Sequence, residues 1–371
     1  MSSAQSRWLV LLLLAFVANA QDPEAILRHA VELHQKGDIE NAIHEYREYL
    51  NIRPANVQAR SNLGAALARA GHFEEATVEY RKALEKDSTN LQIRMNLALA
   101  YYKTVEIPNA VRELTAIRAL QPSNRQAAFL LADCYLRMGE NKKVIELLSP
   151  LEKGSPDDLA LIYLLGTALI RDEQTRRGQV LVDRILRNGD SAEARLLLGT
   201  TKMNVHDYAG ARADLQRAVE LNPKLPDVYS YYGLALLSTG DEAGAAVAFK
   251  KELETNPNDF VSNLQLGILL KQDQAFDDAH KAFDRALLVR PGNPGVRYQL
   301  ATLELAAGKL DDARRNLEKL TTEAPQFVEA HVTLATVYYR LKRKPDGDKE
   351  RVIVLRLNAE KQAREPGVAV K

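Results

Sequence analysis

The chain has 371 residues, of which 46% are hydrophobic and 27% charged, and its formal net charge at pH 7 is +1. This balance gives no electrostatic reason to expect nucleic acid or an anionic membrane surface as a partner. The single cysteine, Cys134, excludes an internal disulfide, and we expect its thiol to be buried in a helix.

The first 20 residues have the composition of a secretory signal peptide. One cation, Arg7, precedes an apolar run from Trp8 to Val17, and small residues follow at Ala18 and Ala20. This order predicts cleavage before Gln21, and therefore an exported protein, periplasmic or extracellular, without stable membrane insertion after cleavage. The alternative is an uncleaved N-terminal segment that anchors the chain to the membrane, although the apolar run is short for a membrane span.

After the predicted cleavage point the chain consists of a repeating unit, which is clearest in residues 226–259. Apolar residues at helical spacing end at Ser238-Thr239-Gly240-Asp241, which predicts a first helix, helix A. A second set runs from Ala243 to Leu253 and stops at Asn256-Pro257, which predicts a second helix, helix B. Two such helices approach closely only where a side chain is nearly absent, so we expect Gly233 and Ala245 to be contact points.

Three positions of this unit recur along the chain at steps of 34 residues, with one step of 33. The small position of helix A gives Ala30, Gly64, Ala98, Ala132, Gly166, Gly199, Gly233, Gly267, Ala301 and Ala335. The small position of helix B gives Ala42, Ala76, Ala110, Val144, Gly178, Ala211, Ala245, Ala279 and Ala313. The terminator position gives Pro54, Ser88, Pro122, Pro156, Asp190, Pro223, Pro257, Pro291 and Pro325. A period kept at three positions indicates an elongated array of helix pairs.

The pattern resembles the tetratricopeptide repeat (TPR). It is carried in the clearest unit by Tyr229, Tyr232, Gly233, Leu236, Ala245, Phe249 and Pro257, with tyrosine in place of the usual tryptophan and Glu252 in place of a small residue. The resemblance implies an all-α, right-handed superhelical solenoid of antiparallel helix hairpins, in which helix A lines a concave groove. We expect repeats to start near residues 23, 57, 91, 125, 159, 192, 226, 260 and 294, with a final helix A from 328 and the solenoid ending at 344.

The C-terminal end and the fifth unit depart from the regular pattern. Residues 345–371 are expected to form a capping helix and a tail, because a solenoid needs a polar cover at an open end. The fifth unit is the least regular, with Gly178 where alanine is usual, Asp190 in the proline position and one residue missing before Ala192. A softer joint and simple sequence drift both remain open for this unit.

No motif for catalysis or cofactor binding occurs in the sequence. The seven histidines are spread over several repeats, no two of them four apart on a helix, and the chain lacks P-loop, GxGxxG, GxSxG and CxxC patterns. The repeats leave no stretch for a hidden catalytic domain. We therefore expect a protein that is not an enzyme and has no cofactor and no metal site.

The TPR resemblance implies that partners bind to helix A residues facing away from the small position. Carboxamides lie two residues before that position in several repeats, and they can pair with a peptide backbone of any sequence; they are Asn62, Asn96, Gln265 and Gln299, with Tyr231 in the same row. Asn62 and Asn96 are similar to the asparagine ladder in the TPR region of O-GlcNAc transferases. Aromatic residues on the same surfaces are Tyr102, Phe129, Tyr163, Tyr298 and Tyr339, for which packing between repeats is the alternative to ligand contact.

These features predict an exported scaffold that binds polypeptide partners in the concave groove, in cell-envelope assembly or secretion. The alternative is a glycan-handling module of a polysaccharide export machine, in which the tyrosines would stack on sugars. The sequence lacks the tryptophan-rich clusters typical of such modules, so protein or peptide ligands are the favoured partners.

Overall fold

The computed structural model describes residues 22–187 and 189–364. The predicted signal peptide and the tail after residue 364 lie outside the described residues. Within the described part, no helix is long and apolar enough to cross a membrane.

The described residues form twenty α-helices. In chain order they are α1 (Pro23–Lys36), α2 (Ile39–Ile52), α3 (Val57–Arg69), α4 (Phe73–Leu84), α5 (Leu91–Lys103), α6 (Ile107–Leu120), α7 (Arg125–Met138), α8 (Asn141–Glu152), α9 (Leu159–Arg171), α10 (Thr175–Leu186), α11 (Ala192–Asn204), α12 (Tyr208–Leu221), α13 (Val228–Ser238), α14 (Glu242–Thr255), α15 (Phe260–Gln272), α16 (Phe276–Val289), α17 (Pro294–Ala306), α18 (Leu310–Glu323), α19 (Val328–Arg340) and α20 (Lys344–Arg364). Odd-numbered helices correspond to the predicted helix A and even-numbered helices to helix B.

The helices are arranged as stacked hairpins. In α1 to α6 and in α9 to α20, each odd-numbered helix packs against the even-numbered helix that follows it. Contacts with the helix A of the next hairpin are made by α2, α4, α8, α10, α12, α14, α16 and α18. Neighbouring odd-numbered helices also touch, from α1 to α5 and from α9 to α19, so the helix A surfaces form a continuous face within each of these two stretches. The predicted all-α solenoid of helix hairpins is confirmed. The chain divides into two compact units after Cys134, within α7, and each unit is described by itself below.

Close contact inside the hairpins follows the predicted small positions. A Cβ atom built on Gly233 would lie 2.5 Å from Cε1 of Phe249, and one on Gly267 would lie 2.6 Å from Cε1 of Phe283. Phe249 and Phe283 are fully buried. In both hairpins the glycine of helix A therefore makes room for an aromatic ring of helix B, sixteen residues later in the sequence.

The fifth hairpin, α9 and α10, reverses this arrangement. The tight contact is made by Gly178 of helix B, whose added Cβ would lie 2.6 Å from Cγ1 of Ile170. A Cβ added to Gly166 of helix A would lie 3.5 Å from Cδ1 of Leu197, which is an ordinary contact distance. Asp190, which replaces the terminator proline, accepts a hydrogen bond from Nε of Arg195. The irregular sequence of this unit is thus matched by its own packing, and whether it is a softer joint stays an open prediction.

Partly buried ion pairs join the two helices of several hairpins. Arg60 of α3 donates to the carboxylate of Glu79 in α4 at 2.5 Å and to the carbonyl oxygen of Pro54 at 2.6 Å. The same register recurs with Arg94 of α5, which binds Glu113 and the carbonyl of Ser88. One guanidinium therefore satisfies a helix B carboxylate and the terminator carbonyl together, which fixes the angle at which one repeat enters the next.

The last hairpin includes the helix predicted as a cap. α20 begins at Lys344, so the expected boundary after residue 344 falls inside this helix. It packs on α19 as a helix B, with Gly347 directly under the ring of Tyr339. The buried imidazole of His331 adds a 2.6 Å contact to Glu350. The described residues therefore contain a tenth helix pair, one more than the nine expected repeats.

The turns between helix A and helix B share a left-handed residue. It has a φ between 59° and 86° at Gly37, Gly71, Val105, Gly139, Glu173, His206, Gly240, Gln274, Gly308 and Lys342. A β-branched side chain is the least suited to this conformation, because its Cβ crowds the backbone. Val105, at φ 63°, is the one β-branched residue in this series.

We expect Val105→Gly to raise the free energy of unfolding by about 1 kcal/mol, because glycine adopts a positive φ without strain. The reciprocal change Gly71→Val places the same side chain at the equivalent turn, where an added Cβ meets no other atom within 4 Å. It should lower the free energy of unfolding by a similar amount. Urea unfolding followed by circular dichroism measures the stability of both variants. A lower unfolding midpoint for Val105→Gly would contradict backbone strain at Val105.

Candidate functional site

All ten residues predicted to line the groove are half-buried, as expected of side chains on a surface between packed helices. In the first unit the two asparagines occupy equivalent places. Nε2 of Gln58 donates to Oδ1 of Asn62 at 2.9 Å, and Nε2 of Gln92 donates to Oδ1 of Asn96 at 3.1 Å. Both pairs lie one turn apart on a helix A, so four amides form two matched groups on this face.

The asparagines also contact helix B of the preceding repeat. Burial raises the pKa of Tyr46, and a hydrogen bond with Asn62 opposes that rise. Tyr80 and Asn96 repeat the relationship. Each asparagine therefore lies against a buried phenol of the preceding repeat, and its role in ligand binding stays a prediction.

Two predicted aromatic residues of the first unit contact charged neighbours. The hydroxyl of Tyr102 donates to Oδ2 of Asp133 at 2.5 Å, which links α5 to α7. The guanidinium carbon of Arg125 lies 5.1 Å from the ring centre of Phe129, within the range of a cation–π contact. Packing between repeats accounts for Tyr102, and Phe129 offers one ring face that is already covered by a cation.

In the second unit, Tyr231 belongs to a polar cluster around Arg171. The guanidinium of Arg171 lies 5.3 Å from the ring centre of Tyr231 and donates to Oδ2 of Asp227 at 2.8 Å. Tyr163 is close enough for these charges to act on its hydroxyl, and burial raises the pKa of both Tyr163 and Tyr231. Both phenols therefore stay neutral and can donate hydrogen bonds at physiological pH.

This cluster depends on a departure from the capping pattern of the other repeats. Helix A usually begins after a side chain that accepts a backbone N–H, such as Asn56, Asn90, Asp158, Ser191, Asp259 and Asn293. In the seventh repeat Leu225 stands at that position and is buried. α13 therefore begins only at Val228, and Asp227 before it adopts a left-handed conformation with φ 65°.

Glu252 of α14 replaces the missing cap. Its buried carboxylate accepts the backbone N–H of Asp227 at 3.0 Å and that of Tyr229 at 3.2 Å. Burial, together with the charges of Asp259 and Asp227, raises the pKa of Glu252 to about 7. The unusual glutamate at a position where small residues recur is thus explained by the start of the neighbouring helix.

A second buried carboxylate lies next to this cap. Oδ1 of Asp259 accepts hydrogen bonds from Oγ of Ser230 and from the backbone N–H of Ser262, both at 2.6 Å. The hydroxyls of the two serines are 2.7 Å apart. Burial and the charge of Asp227 raise the pKa of Asp259. We refer to Asp227, Ser230, Glu252, Asp259 and Ser262 as the buried polar network.

Arg290 reaches across the second unit from the turn after α16. Its Nε donates to the carbonyl oxygen of Arg137 at 2.7 Å, and its guanidinium carbon lies 3.8 Å from the ring centre of Phe260. Burial and the charge of Arg171 lower the pKa of Arg290 to about 10. The end of α7 is therefore joined to a turn that lies 153 residues later.

The remaining predicted residues have mixed surroundings. Oε1 of Gln299 accepts a hydrogen bond from Nζ of Lys271 at 2.5 Å, which joins α15 to α17. The hydroxyl of Tyr298 lies 3.0 Å from Oγ1 of Thr333, and its ring meets Phe327 edge-on. Gln265 is half-buried on α15.

Tyr339 differs from the other aromatic residues because it packs within its own hairpin. Its ring covers Gly347, and its hydroxyl donates to Oδ1 of Asp348 at 2.8 Å, so both contacts are with α20. This packing accounts for the tyrosine without a ligand. A role for Tyr339 in the groove stays a prediction.

A cavity of about 430 Å³ opens at the N-terminal ends of α9 and α11. Its apolar walls are Leu159, Ala160, Tyr163, Ile185 and Leu225, with Ser191 and Glu193 as the polar lining residues. Leu159 is 49% exposed although it is a large apolar residue. The volume lies within the usual range of about 300 to 1,000 Å³ for ligand pockets.

The sequence interpretation missed Arg171, Leu225, Asp227, Arg290 and Glu193. One signal was present, since Leu225 interrupts a column of capping residues that recurs at α3, α5, α9, α11, α15 and α17, although α19 also lacks a capping side chain, with Phe327 at that position. The other contacts join residues far apart in sequence, which no short motif marks. Among residues 22–187 and 189–364, no group of three or more histidine, cysteine or acidic side chains could hold a metal ion.

Models of repeat families match much of the chain. A TPR repeat model matches residues 32–71, one tetratricopeptide repeat model matches residues 270–320, and another matches residues 95–148, 196–260 and 298–347. The repeats identified from the sequence pattern are therefore confirmed as tetratricopeptide repeats. No curated protein sequence matches the chain.

Solved structures with a similar fold include two that differ in how much of the chain they cover. The crystal structure of MamA protein has 19% sequence identity and a TM-score of 0.42, and it covers 49% of this chain and 100% of its own. A monomeric mutant of IFIT1 with Gppp-AAAA has 16% identity and a TM-score of 0.49, covering 91% of this chain and 90% of its own.

Proposed function

Because the chain is built of tetratricopeptide repeats, we propose that it is a non-enzymatic scaffold that binds polypeptide partners on its helix A surfaces. The carrying observation is that the predicted amides and aromatic residues are all half-buried on helix A, with polar atoms directed by neighbouring side chains. Such side chains can bind a peptide backbone and leave most of the protein unchanged. The ordering cost of binding is then borne mainly by the partner.

The amide residues supply the part of this surface that is independent of partner sequence. We expect replacement of Asn62, Asn96, Gln265 and Gln299 by alanine to weaken partner capture by about tenfold or more, because several backbone hydrogen bonds are lost together. The measurement is a crosslinking pull-down with the full chain from the native cell envelope, with captured polypeptides quantified by mass spectrometry. The helical circular dichroism spectrum should stay unchanged.

A matched control replaces three exposed amides of helix B, Asn41, Gln216 and Asn316, by alanine. These residues lie on even-numbered helices and should leave capture unaltered. Equal capture by wild type and the helix A variant would remove the amides from the binding surface. Recovery of polysaccharide alone would instead support the glycan-handling module.

We propose further that the scaffold acts outside the cytoplasm, in cell-envelope assembly or secretion. The support is the composition of residues 1–20, with one cation, an apolar run and small residues before Gln21. N-terminal sequencing of the protein from an envelope fraction tests this directly. A chain that begins at Gln21 agrees with export and cleavage, whereas an intact N-terminus in the cytoplasmic fraction contradicts both.

A further inference from the structure

The cavity between the starts of α9 and α11 combines apolar walls with polar groups that have no partner. Among the described residues, the carboxylate of Glu193 makes no hydrogen bond or ion pair, and neither does the hydroxyl of Tyr163. The two groups are near enough for the charge of Glu193 to raise the pKa of Tyr163. The half-buried carboxylate of Glu193 is therefore available to a positively charged ligand.

The nearest arginine in sequence cannot neutralise Glu193, because it is already engaged. Arg195 donates to Asp214 at 2.7 Å and to Asp190, and Lys202 also pairs with Asp214 at 2.6 Å. The local cations are thus directed to the interior of the sixth hairpin. Among the described residues, no lysine or arginine forms an ion pair with the Glu193 carboxylate at the rim of the cavity.

The wall of the cavity is maintained at a structural cost. Leu225 contributes to it from the position where other repeats have a capping residue, and the repeat compensates with the left-handed Asp227 and the buried carboxylate of Glu252. A non-glycine residue in this conformation costs on the order of 1 kcal/mol or more. Positions at which a protein departs from its usual local sequence preferences are concentrated at functional sites.

We propose that this cavity binds a bulky apolar side chain of a polypeptide partner, with an adjacent lysine or arginine of that partner paired to Glu193. The apolar side chain would pack on Leu159, Tyr163 and Leu225, and the hydroxyl of Tyr163 would donate to a backbone carbonyl of the peptide. This specificity rests on the proposed function, since it names the kind of peptide that one part of the helix A surface selects. The partner segment is therefore apolar and basic.

The chain offers a control of the same charge and helix position. Glu193 lies in the first turn of α11, and Glu329 lies in the first turn of α19, six residues before the small position in both cases. Both carboxylates face the positive end of a helix dipole, so their replacement by lysine costs similar helix stability. Only Glu193 lines the cavity.

The test uses the full chain as wild type, Glu193→Lys and Glu329→Lys, and two fluorescein-labelled peptides, Gly-Ser-Trp-Lys-Ser-Gly and Gly-Ser-Trp-Glu-Ser-Gly. Fluorescence anisotropy should show that wild type and Glu329→Lys bind the lysine peptide about tenfold more tightly than the glutamate peptide. In Glu193→Lys the preference should reverse. Circular dichroism verifies that all three proteins have the same helix content.

Two results would overturn the proposal. The same peptide preference in wild type and Glu193→Lys would show that Glu193 does not select the basic residue. Equally tight binding of free tryptamine and the lysine peptide would assign the cavity to a small amine instead of a polypeptide. Either result leaves the scaffold function intact if envelope polypeptides are still captured in a manner that depends on the helix A amides.

Discussion

Replacing Gly233 by leucine is expected to lower the free energy of unfolding by about 3 kcal/mol or more. Even a single added carbon would lie 2.5 Å from Cε1 of Phe249, a ring that is fully buried and has no space into which to move. The larger side chain must therefore push α13 away from α14, and overpacking of this kind typically costs about 1 to 3 kcal/mol and occasionally more. Urea unfolding monitored by helical circular dichroism gives the change.

The control for this prediction is Gly166→Ala in the fifth hairpin. Gly166 is also within a helix A, but the nearest atom to an added Cβ is Cδ1 of Leu197 at 3.5 Å, an ordinary contact distance. Alanine should then raise the free energy of unfolding by up to about 1 kcal/mol through its higher helix propensity. If both substitutions changed stability in the same direction, close helix contact would not be the reason for Gly233.

The second large effect is a dependence of stability on pH that originates at Glu252. Its pKa is raised from 4.5 to about 7 in the folded protein, so between these values the folded state binds a proton that the unfolded state has released. Stability therefore falls as pH rises through this window. A difference of this size corresponds to roughly 3 kcal/mol lost between pH 5 and pH 8.

We expect Glu252→Gln to remove most of this loss, because glutamine does not titrate. At pH 5 the variant should be less stable than wild type by about 1 kcal/mol, since the hydroxyl oxygen of the protonated carboxyl group can still accept the second backbone N–H, whereas the amide nitrogen that replaces it cannot. At pH 8 this order should reverse. Urea unfolding midpoints of wild type and variant, measured at pH 5 and pH 8, test this reversal of stability.

Burial also shifts the pKa values of other groups, so the pH dependence is compared between variants. Burial raises the pKa of Asp259 in the same direction as that of Glu252, whereas burial lowers the pKa of His34 and opposes both. Glu254→Gln, two residues further along on the exposed face of α14, leaves all of these groups in place. The pH dependence of its free energy of unfolding should match that of wild type. If Glu252→Gln also kept the wild-type pH dependence, a group other than Glu252 would be responsible for it.

The repeat period predicts the hairpins well because each depends on contacts within about 34 residues. Gly233 against Phe249 is an example, since the missing side chain and the large ring occupy matching positions in one unit. The same pattern places the amides on helix A. The pattern fails where a residue compensates for an irregular position in its own unit, as Glu252 does when it caps α13 in place of a capping side chain.

Some features follow no local rule and could not be inferred from the sequence. Val105 takes the left-handed turn position that glycine fills in five other hairpins, although a β-branched residue is poorly suited to it. Tyr339 has the spacing of a groove residue but covers Gly347, which was assigned to a cap outside the repeats. From the local sequence, Leu225 is expected to be an ordinary core leucine, and its position in place of a capping residue is recognised only when several repeats are compared.

The contact between Arg290 and Arg137 has a consequence for the order of folding. Hairpins depend on short loops, which close quickly, so they can form one after another as the chain leaves the ribosome. The hydrogen bond from Arg290 to the carbonyl of Arg137 spans 153 residues and requires the intervening repeats to be in place. It must therefore form after α16 has been synthesised, as a late step that makes folding of the second unit more cooperative than a simple row of repeats.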